Sequence, residues 1–64
     1  MNKWIVTLAM VKQETLERYE RVIEVEASYE DAAFVTAFTA VRLDPDMKKD
    51  FMHIKDVRKK SPSP

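Results

Sequence analysis

The chain of 64 residues contains no glycine, which narrows the structures and sites that it can form. Loops that hold phosphate groups need glycine where the backbone takes a positive φ angle or approaches the ligand closely. A phosphate-binding loop of the nucleotide-hydrolase type and a dinucleotide-binding fingerprint are therefore excluded. Two-residue hairpin turns also favour glycine, so we expect any hairpin here to have a longer loop.

The short length and the absence of cysteine limit how the fold is stabilised. A chain of this size forms one domain at most and buries only about 60% of the surface of its unfolded form. Small domains of this kind usually need disulfides, a metal ion or association with another chain. Disulfides and thiolate metal sites are excluded here, and one histidine alone does not make a structural zinc site. We therefore expect no cofactor, and we expect a second copy of the chain or a larger partner to supply buried area.

Residues 3–11 predict a first strand with apolar side chains on both faces. Such a strand is typical of the centre of a sheet or of a sheet that is covered on both sides. The apolar run is too short to span a bilayer and leads into polar residues without a convincing cleavage site. Together with the absence of cysteine, this favours a cytoplasmic location.

Residues 16–27 allow two interpretations. Leu16, Tyr19 and Ile23 lie at helical spacing, which favours a helix. Residues 21–27 are instead rich in β-branched side chains and alternate, with apolar residues on one side and Glu24 and Glu26 on the other. We favour a second strand, antiparallel to the first, and the helix remains the alternative.

A helix is predicted to begin at Ser28, with Asp31 reaching back to complete a capping-box-like arrangement. Pro45 disfavours helical geometry at the residue before it, so the helix is expected to end near Leu43. Its apolar stripe is predicted to lie on the sheet and to contain three large residues flanked by alanines: Phe34, Phe38 and Val41, with Ala33, Ala37 and Ala40.

Residues 51–57 predict a third strand, with Met52 and Ile54 inward and Phe51, His53 and Lys55 outward. The predicted fold is α+β: a three-stranded antiparallel sheet with one helix on one face, in the order β-β-α-β. Residues 1–58 form its single domain, and residues 59–64 are expected to be a flexible, disordered basic tail. One helix covers only one face of the sheet, so the other face is a candidate interaction surface.

The charges are segregated although the formal net charge is zero. Residues 13–31 contain seven acidic and two basic residues, whereas residues 47–64 contain six basic and two acidic residues. Such asymmetry steers protein partners and permits head-to-tail association, although an ordinary solvated surface has a similar composition. The candidate partner-binding residues are Lys55, Arg58, Lys59, Lys60, Glu24, Glu26, Phe51 and His53.

The sequence offers no convincing catalytic or metal-binding group. A general acid and base need two carboxyl groups in a cleft, and a domain of this size has little room for one. His53 lacks a partner arrangement of the Ser-His-Asp type. The segment Asp44-Pro45-Asp46 resembles the start of a calcium loop but lacks its glycine and terminal glutamate. We therefore expect a protein that is not an enzyme.

Three segments carry a resemblance to very small bacteriophage proteins: Trp4 in the first strand, residues 22–33 leading from strand to helix, and Phe51 opening the last strand. Over residues 3–58 the pattern is similar to that of the short phage-encoded inhibitor of bacterial RNA polymerase. The resemblance implies the β-β-α-β order and a basic last strand that engages the polymerase. Lys55 matches that strand, whereas Val57 stands at its next basic position.

The leading hypothesis is a non-enzymatic accessory protein, of phage type, that binds and inhibits a host protein such as RNA polymerase. One alternative is a structural or assembly protein that forms a homodimer through the second face of the sheet. Another is a nucleic-acid-associated protein, in which the basic C-terminal residues contact phosphates and Phe51 and His53 stack on a base.

Overall fold

The chain forms three strands and one helix in the predicted order: β1 (Asn2–Val11), β2 (Arg18–Ala27), α1 (Glu30–Leu43) and β3 (Phe51–Lys59). This computed structural model describes residues 1–60. The strands lie in the order β2-β1-β3, and β1 is antiparallel to both neighbours. The predicted α+β fold with one helix on a three-stranded antiparallel sheet is confirmed, as is the central place of β1. Within residues 1–60, the only helix is too short to cross a membrane.

The β1–β2 hairpin resolves the ambiguity of residues 16–27 in favour of a strand. Every residue of β1 pairs with one of β2, from Asn2 opposite Ala27 to Val11 opposite Arg18. The connection of residues 12–17 is longer than a two-residue turn, as expected without glycine. Lys12 accepts a backbone hydrogen bond from Leu16 at 2.8 Å and donates one to Glu17 at 2.9 Å. These bonds close the loop.

The core lies between the sheet and α1. Alternation along β2 is confirmed, since Val25 and Ala27 are buried while Glu24 and Glu26 are exposed. The Trp4 indole covers one end of the core and donates to the backbone carbonyl of Ala27 at 2.9 Å. The buried residues come from the inner faces of β1, β2 and α1: Val6, Leu8, Met10, Val25, Ala27, Ala33, Ala37 and Val41.

The predicted N-cap residue of α1 is wrong. Tyr29, and not Ser28, occupies the N-cap position with extended backbone, and no side-chain cap hydrogen bond is present there. Ser28 therefore lies one residue too early to cap the first turn. Glu30 and Asp31 do occupy that turn, where the helix dipole favours acidic side chains. The helix ends at Leu43, as predicted from Pro45.

The buried side of α1 is rotated relative to the predicted stripe. Ala33, Ala37 and Val41 are completely buried, whereas Phe34 and Phe38 are half-buried and Ala40 is exposed. The rings of Phe34 and Phe38 pack edge to face, with centroids 4.3 Å apart. Small residues therefore contact the sheet and let the helix approach closely, while the large rings lie beside the contact.

Strand β3 contains a bulge and is longer than predicted. Val6 pairs with Val57 and Leu8 with Ile54, so β3 has one more residue than β1 between these pairs. The strand continues two residues past the predicted end at Val57, and the Lys60 amide donates to the Lys3 carbonyl at 2.9 Å. The first two residues of the predicted flexible tail are thus paired with β1. Residues 61–64 of that tail lie outside the described residues.

Candidate functional site

The face of the sheet opposite α1 is uncovered by any helix or strand within residues 1–60. We call it the open face. Its centre is the outward side of β1, which is half-buried and has β2 and β3 on either side. We call its central residues the apolar strip: Ile5, Thr7, Ala9 and Val11. Val22 on β2 and Phe51 on β3 widen the apolar strip, and their side chains are 65% and 57% exposed.

Acidic side chains line one side of the apolar strip. Glu20 pairs with Ala9 across the β1–β2 ladder, and Glu24 pairs with Ile5. Since side chains alternate along a strand, Glu26 lies on the same face as these two glutamates. We call Glu20, Glu24 and Glu26 the acidic row.

Basic side chains line the other side of the strip. Arg58 pairs with Ile5 across the β1–β3 ladder, at the same level as Glu24 on the opposite flank. Lys55 is the extra residue at the bulge, and Lys60 lies at the level of Lys3. We call Lys55, Arg58 and Lys60 the basic row.

Two ion pairs cross the apolar strip and link the rows. Lys55 pairs with Glu20, and the Lys60 Nζ lies 3.3 Å from the Glu24 Oε2. All four side chains are about half exposed, so each pair contributes only about 0–1 kcal/mol to stability. Arg58 instead donates from Nε to the Asp56 carboxylate, at 2.8 Å within β3. The rows are therefore close enough to neutralise each other, and these weak pairs are readily exchanged.

A groove of about 590 Å³ runs along the open face above Ala9 and Val11. Its walls include Arg18 and Glu20 on one side and His53 and Lys55 on the other. The volume falls within the range of small-molecule sites, but such sites bury most of the ligand surface. This groove lies on one face of a sheet without a lid among residues 1–60. It is better suited to a side chain of a docked protein than to an enclosed substrate.

A hydrogen-bonded cluster holds together the loops at one end of the sheet. The Tyr19 hydroxyl donates to the Asp50 carboxylate at 2.5 Å, and the backbone N–H of Gln13 donates to the other carboxylate oxygen at 3.4 Å. Partial burial, the hydrogen bond to Asp50 and the negative charge of Asp50 raise the pKa of Tyr19 to about 12. The hydroxyl therefore stays protonated at neutral pH and acts as a structural donor, not as a base.

The open face brings together seven of the eight predicted partner-binding residues. Lys59 is the exception, because it pairs with Trp4 and lies on the side of the sheet that carries α1. Among residues 1–60, no group of three or more histidine, cysteine, aspartate or glutamate side chains is arranged to hold a metal ion. The seven that share the face are Glu24, Glu26, Phe51, His53, Lys55, Arg58 and Lys60.

Sequence reasoning did not include Glu20 among the candidate partner-binding residues. Glu20 lay in the stretch where helix and strand both fitted the pattern. Extending the alternation of Glu24 and Glu26 backwards by two and four residues would have placed Val22 and Glu20 on the same face.

No protein-family model, no curated protein and no solved structure matches this chain.

Proposed function

We propose that this protein is a small, non-enzymatic domain that binds another protein through the open face and thereby modulates it. The observation that carries the proposal is an apolar strip that no helix or strand within residues 1–60 covers, with the acidic row on one side and the basic row on the other. Protein interfaces commonly combine an apolar centre with a polar rim, and the open face has this layout.

The exposed apolar side chains on the open face also support a protein-binding role. Val22 and Phe51 are 65% and 57% exposed, so they have apolar area left to bury on contact. A domain of this size has a marginal core, and a partner that covers the strip adds to the buried apolar surface. The charged rows on either side favour one orientation of the partner and disfavour others.

The nature of the partner is a further part of the proposal. The resemblance to the phage-encoded inhibitor suggests a host protein, and bacterial RNA polymerase is the first candidate. In support, Lys55 lies on the open face, at the position where the resemblance implies contact with the polymerase. The protein would then be a phage-type accessory factor that inhibits its target.

Nucleic acid is a weaker candidate because the two rows lie on one face. Adjacent strands are about 4.8 Å apart, which puts the rows roughly 10 Å from each other across β1. A phosphate backbone that approached the basic row would thus also approach the acidic row. The ion pairs of Lys55 and Lys60 also reduce the positive charge available to phosphates.

Two valines provide a matched test of the open face. Val22 lies on that face and is 65% exposed, whereas Val35 lies on the outer side of α1 and is 62% exposed. Binding of purified bacterial RNA polymerase to immobilised wild type, Val22→Lys and Val35→Lys would be measured by biolayer interferometry. We expect Val35→Lys to bind like the wild type and Val22→Lys to bind at least about tenfold more weakly, equivalent to about 1.4 kcal/mol.

Equal binding by all three proteins would show that the open face is not the contact surface. No binding by the wild type would remove the polymerase as the partner. Capture from a nuclease-treated bacterial lysate with the same three proteins would then test the wider proposal. A host protein retained by wild type and Val35→Lys but lost with Val22→Lys supports it, and the absence of any such protein contradicts it.

A further inference from the structure

We infer that the open face binds a second copy of this chain, in a two-fold symmetric dimer whose β1 strands run in the same direction. This inference rests on the proposed use of the open face as a protein-binding surface, and it names one occupant of that surface. The symmetry of a face-to-face contact and the positions of the charged rows support it.

A two-fold axis that relates two sheets packed face to face lies in the plane between them. Aligned sheet packing then leaves two arrangements, with the axis either along the strands or across them. In the first arrangement, β1 lies over β1 in the same direction, and β2 lies over β3 of the second copy. In the second arrangement, β1 lies over β1 in the opposite direction, and β2 lies over β2.

With the axis along the strands, the acidic row of each copy faces the basic row of the other. Glu24 and Arg58 both pair with Ile5, so they lie at one level and meet across the interface. Glu26 meets Lys60 at the level of Lys3, and Glu20 meets the region of His53 and Lys55 at the level of Ala9. Opposite charges therefore meet at three levels of the sheet, while Asp56, at the level of Thr7, lies over Val22 and is paired with Arg58 of its own strand.

With the axis across the strands and passing near Thr7, like charges face each other at the middle levels of the sheet, and only Glu26 would lie over a basic residue, Arg18 of the other copy. Glu24 of one copy would lie over Glu20 of the other, and Arg58 would lie near Lys55. Asp56, which pairs with Thr7, would lie over its own copy. The charge layout thus favours the arrangement in which the strands run in the same direction.

The apolar strip of one copy can pack against the apolar strip of the other. With β1 over β1, each residue of the strip lies over its own copy, so Ile5 meets Ile5 and Val11 meets Val11. The ion pairs that cross the strip in the monomer are half exposed, and they can be replaced by equivalent pairs between the copies. The dimer therefore removes the strip from water without leaving the rows unpaired.

The size of the face predicts a weak dimer. Ten residues of strand extend about 33 Å, and three strands are about 14 Å wide. The two copies together would cover about 900 Å² of projected area; accessible area exceeds its projection, so the contact falls near the lower end of the about 1,200–2,000 Å² of accessible surface that standard stable interfaces bury. We therefore expect a dissociation constant in the range of about 1–100 μM, so that dimer and monomer exchange at ordinary protein concentrations.

Charge reversal of one row at a time tests the inference. Glu20→Lys/Glu24→Lys gives both rows a net positive charge, and Lys55→Glu/Arg58→Glu gives both rows a net negative charge. A third variant carries all four substitutions, which exchanges two charges between the rows and keeps the net charge at zero, as in the wild type. Sedimentation equilibrium from about 5 to 500 μM would be recorded for each protein and for the equimolar mixture of the two double variants, with circular dichroism to verify folding.

We expect the wild type, the mixture and the four-substitution variant to dimerise, and each double variant alone to dimerise at least tenfold more weakly. A wild type that stays monomeric to 500 μM would overturn the dimer and leave the binding of another protein to the Val22→Lys comparison. Double variants that dimerise like the wild type would place the contact elsewhere. A four-substitution variant that is folded but monomeric would contradict the complementarity between the rows.

Discussion

Leu16 takes an unusual backbone conformation in the β1–β2 loop. Its φ angle is 60°, and among residues 1–60 it is the only residue with a positive φ that is not glycine. A left-handed conformation costs a residue with a Cβ roughly 1–2 kcal/mol. The chain has no glycine, so a leucine carries this cost at a turn where glycine would fit.

Leu16→Gly is therefore expected to raise the free energy of unfolding by about 0.5–1 kcal/mol. The gain is smaller than the full conformational cost because glycine also makes the unfolded chain more flexible. The lost side chain contributes little packing, since Leu16 is 66% exposed. Urea denaturation would measure the change. Glu14→Gly, in the same loop without a positive φ, is the control and should give no gain; an equal gain from both would contradict this explanation.

Tyr19 supplies the prediction that depends on pH. Its pKa of about 12 in the folded state lies above the ordinary value of 10.0, so the folded protein holds this proton more tightly than the unfolded chain does. The protonated Tyr19 hydroxyl therefore contributes fully to the free energy of unfolding below pH 10, and this contribution is lost as the pH rises towards 12. Tyr19→Phe also removes the hydrogen bond to Asp50.

We expect Tyr19→Phe to lower the free energy of unfolding by about 1 kcal/mol at pH 7, as is typical for one hydrogen bond. Urea denaturation at several pH values should show this difference shrinking between pH 10 and pH 12. Tyr29→Phe is the matched control, because Tyr29 is 63% exposed, and it should have little effect. A difference that stays constant across this pH range would show that ionisation of Tyr19 is not coupled to folding.

At the scale of elements, the orientation of α1 leads to a prediction about two alanines. Ala37 is completely buried against the sheet, whereas Ala40 is exposed three residues later. Ala37→Leu should lower the free energy of unfolding by about 1–3 kcal/mol, because added methylene groups overpack a close helix–sheet contact. Ala40→Leu should change it by less than about 0.5 kcal/mol. Thermal and urea denaturation would compare the two, and the reverse order would mean that the helix is rotated.

The same helix shows what periodicity does and does not predict. The spacing of apolar residues located α1 and its end before Pro45, because these signals are local. It did not identify the buried side, since Ala33, Phe34, Ala37 and Phe38 all lie on one broad apolar arc. The distance between the helix and the sheet determines which of these residues are buried, and that distance depends on tertiary packing. The predicted stripe gave weight to the phenylalanines, whereas the contact uses the alanines.

The sequence of strand β3 carries a local signal of its bulge. Its inward residues are Met52 and Ile54 and then Val57, so the spacing changes from two to three. Such a change in the alternation is what a bulge produces. The bulge explains why Lys55 and Arg58 lie on one face although they are three residues apart.

At the scale of the whole molecule, strand order converts two charged segments into one surface. The sequence shows an acidic segment, residues 13–31, and a basic segment, residues 47–64, that are separated along the chain. The order β2-β1-β3 places them on either side of one apolar strand, and ion pairs link them across it. Single-sequence patterns predict which residues share a face of a strand, but they do not give the strand order. The separate rows were therefore predictable, and their juxtaposition was not.

The direction of the strands in the proposed dimer is open to a direct measurement. The chain has no cysteine, so Glu14→Cys gives a single site for a spin label in the loop of residues 12–17, away from the charged rows. With parallel β1 strands, the two labelled loops lie at the same end of the dimer. With antiparallel strands, they lie at opposite ends, separated by at least the roughly 33 Å length of the strand.

Double electron–electron resonance on the dimer should therefore give a distance below about 25 Å for the Glu14→Cys label. A label at Val35→Cys, on the outer side of α1, is the control. The two helices lie on opposite outer sides of the packed sheets, so this second distance should be about 30 Å or more in either arrangement, since each packed layer adds about 10 Å. It thus reports dimer formation whatever the strand direction. A long distance from both sites would mean that the copies pack antiparallel, and the pairing of the acidic row with the basic row would then be wrong.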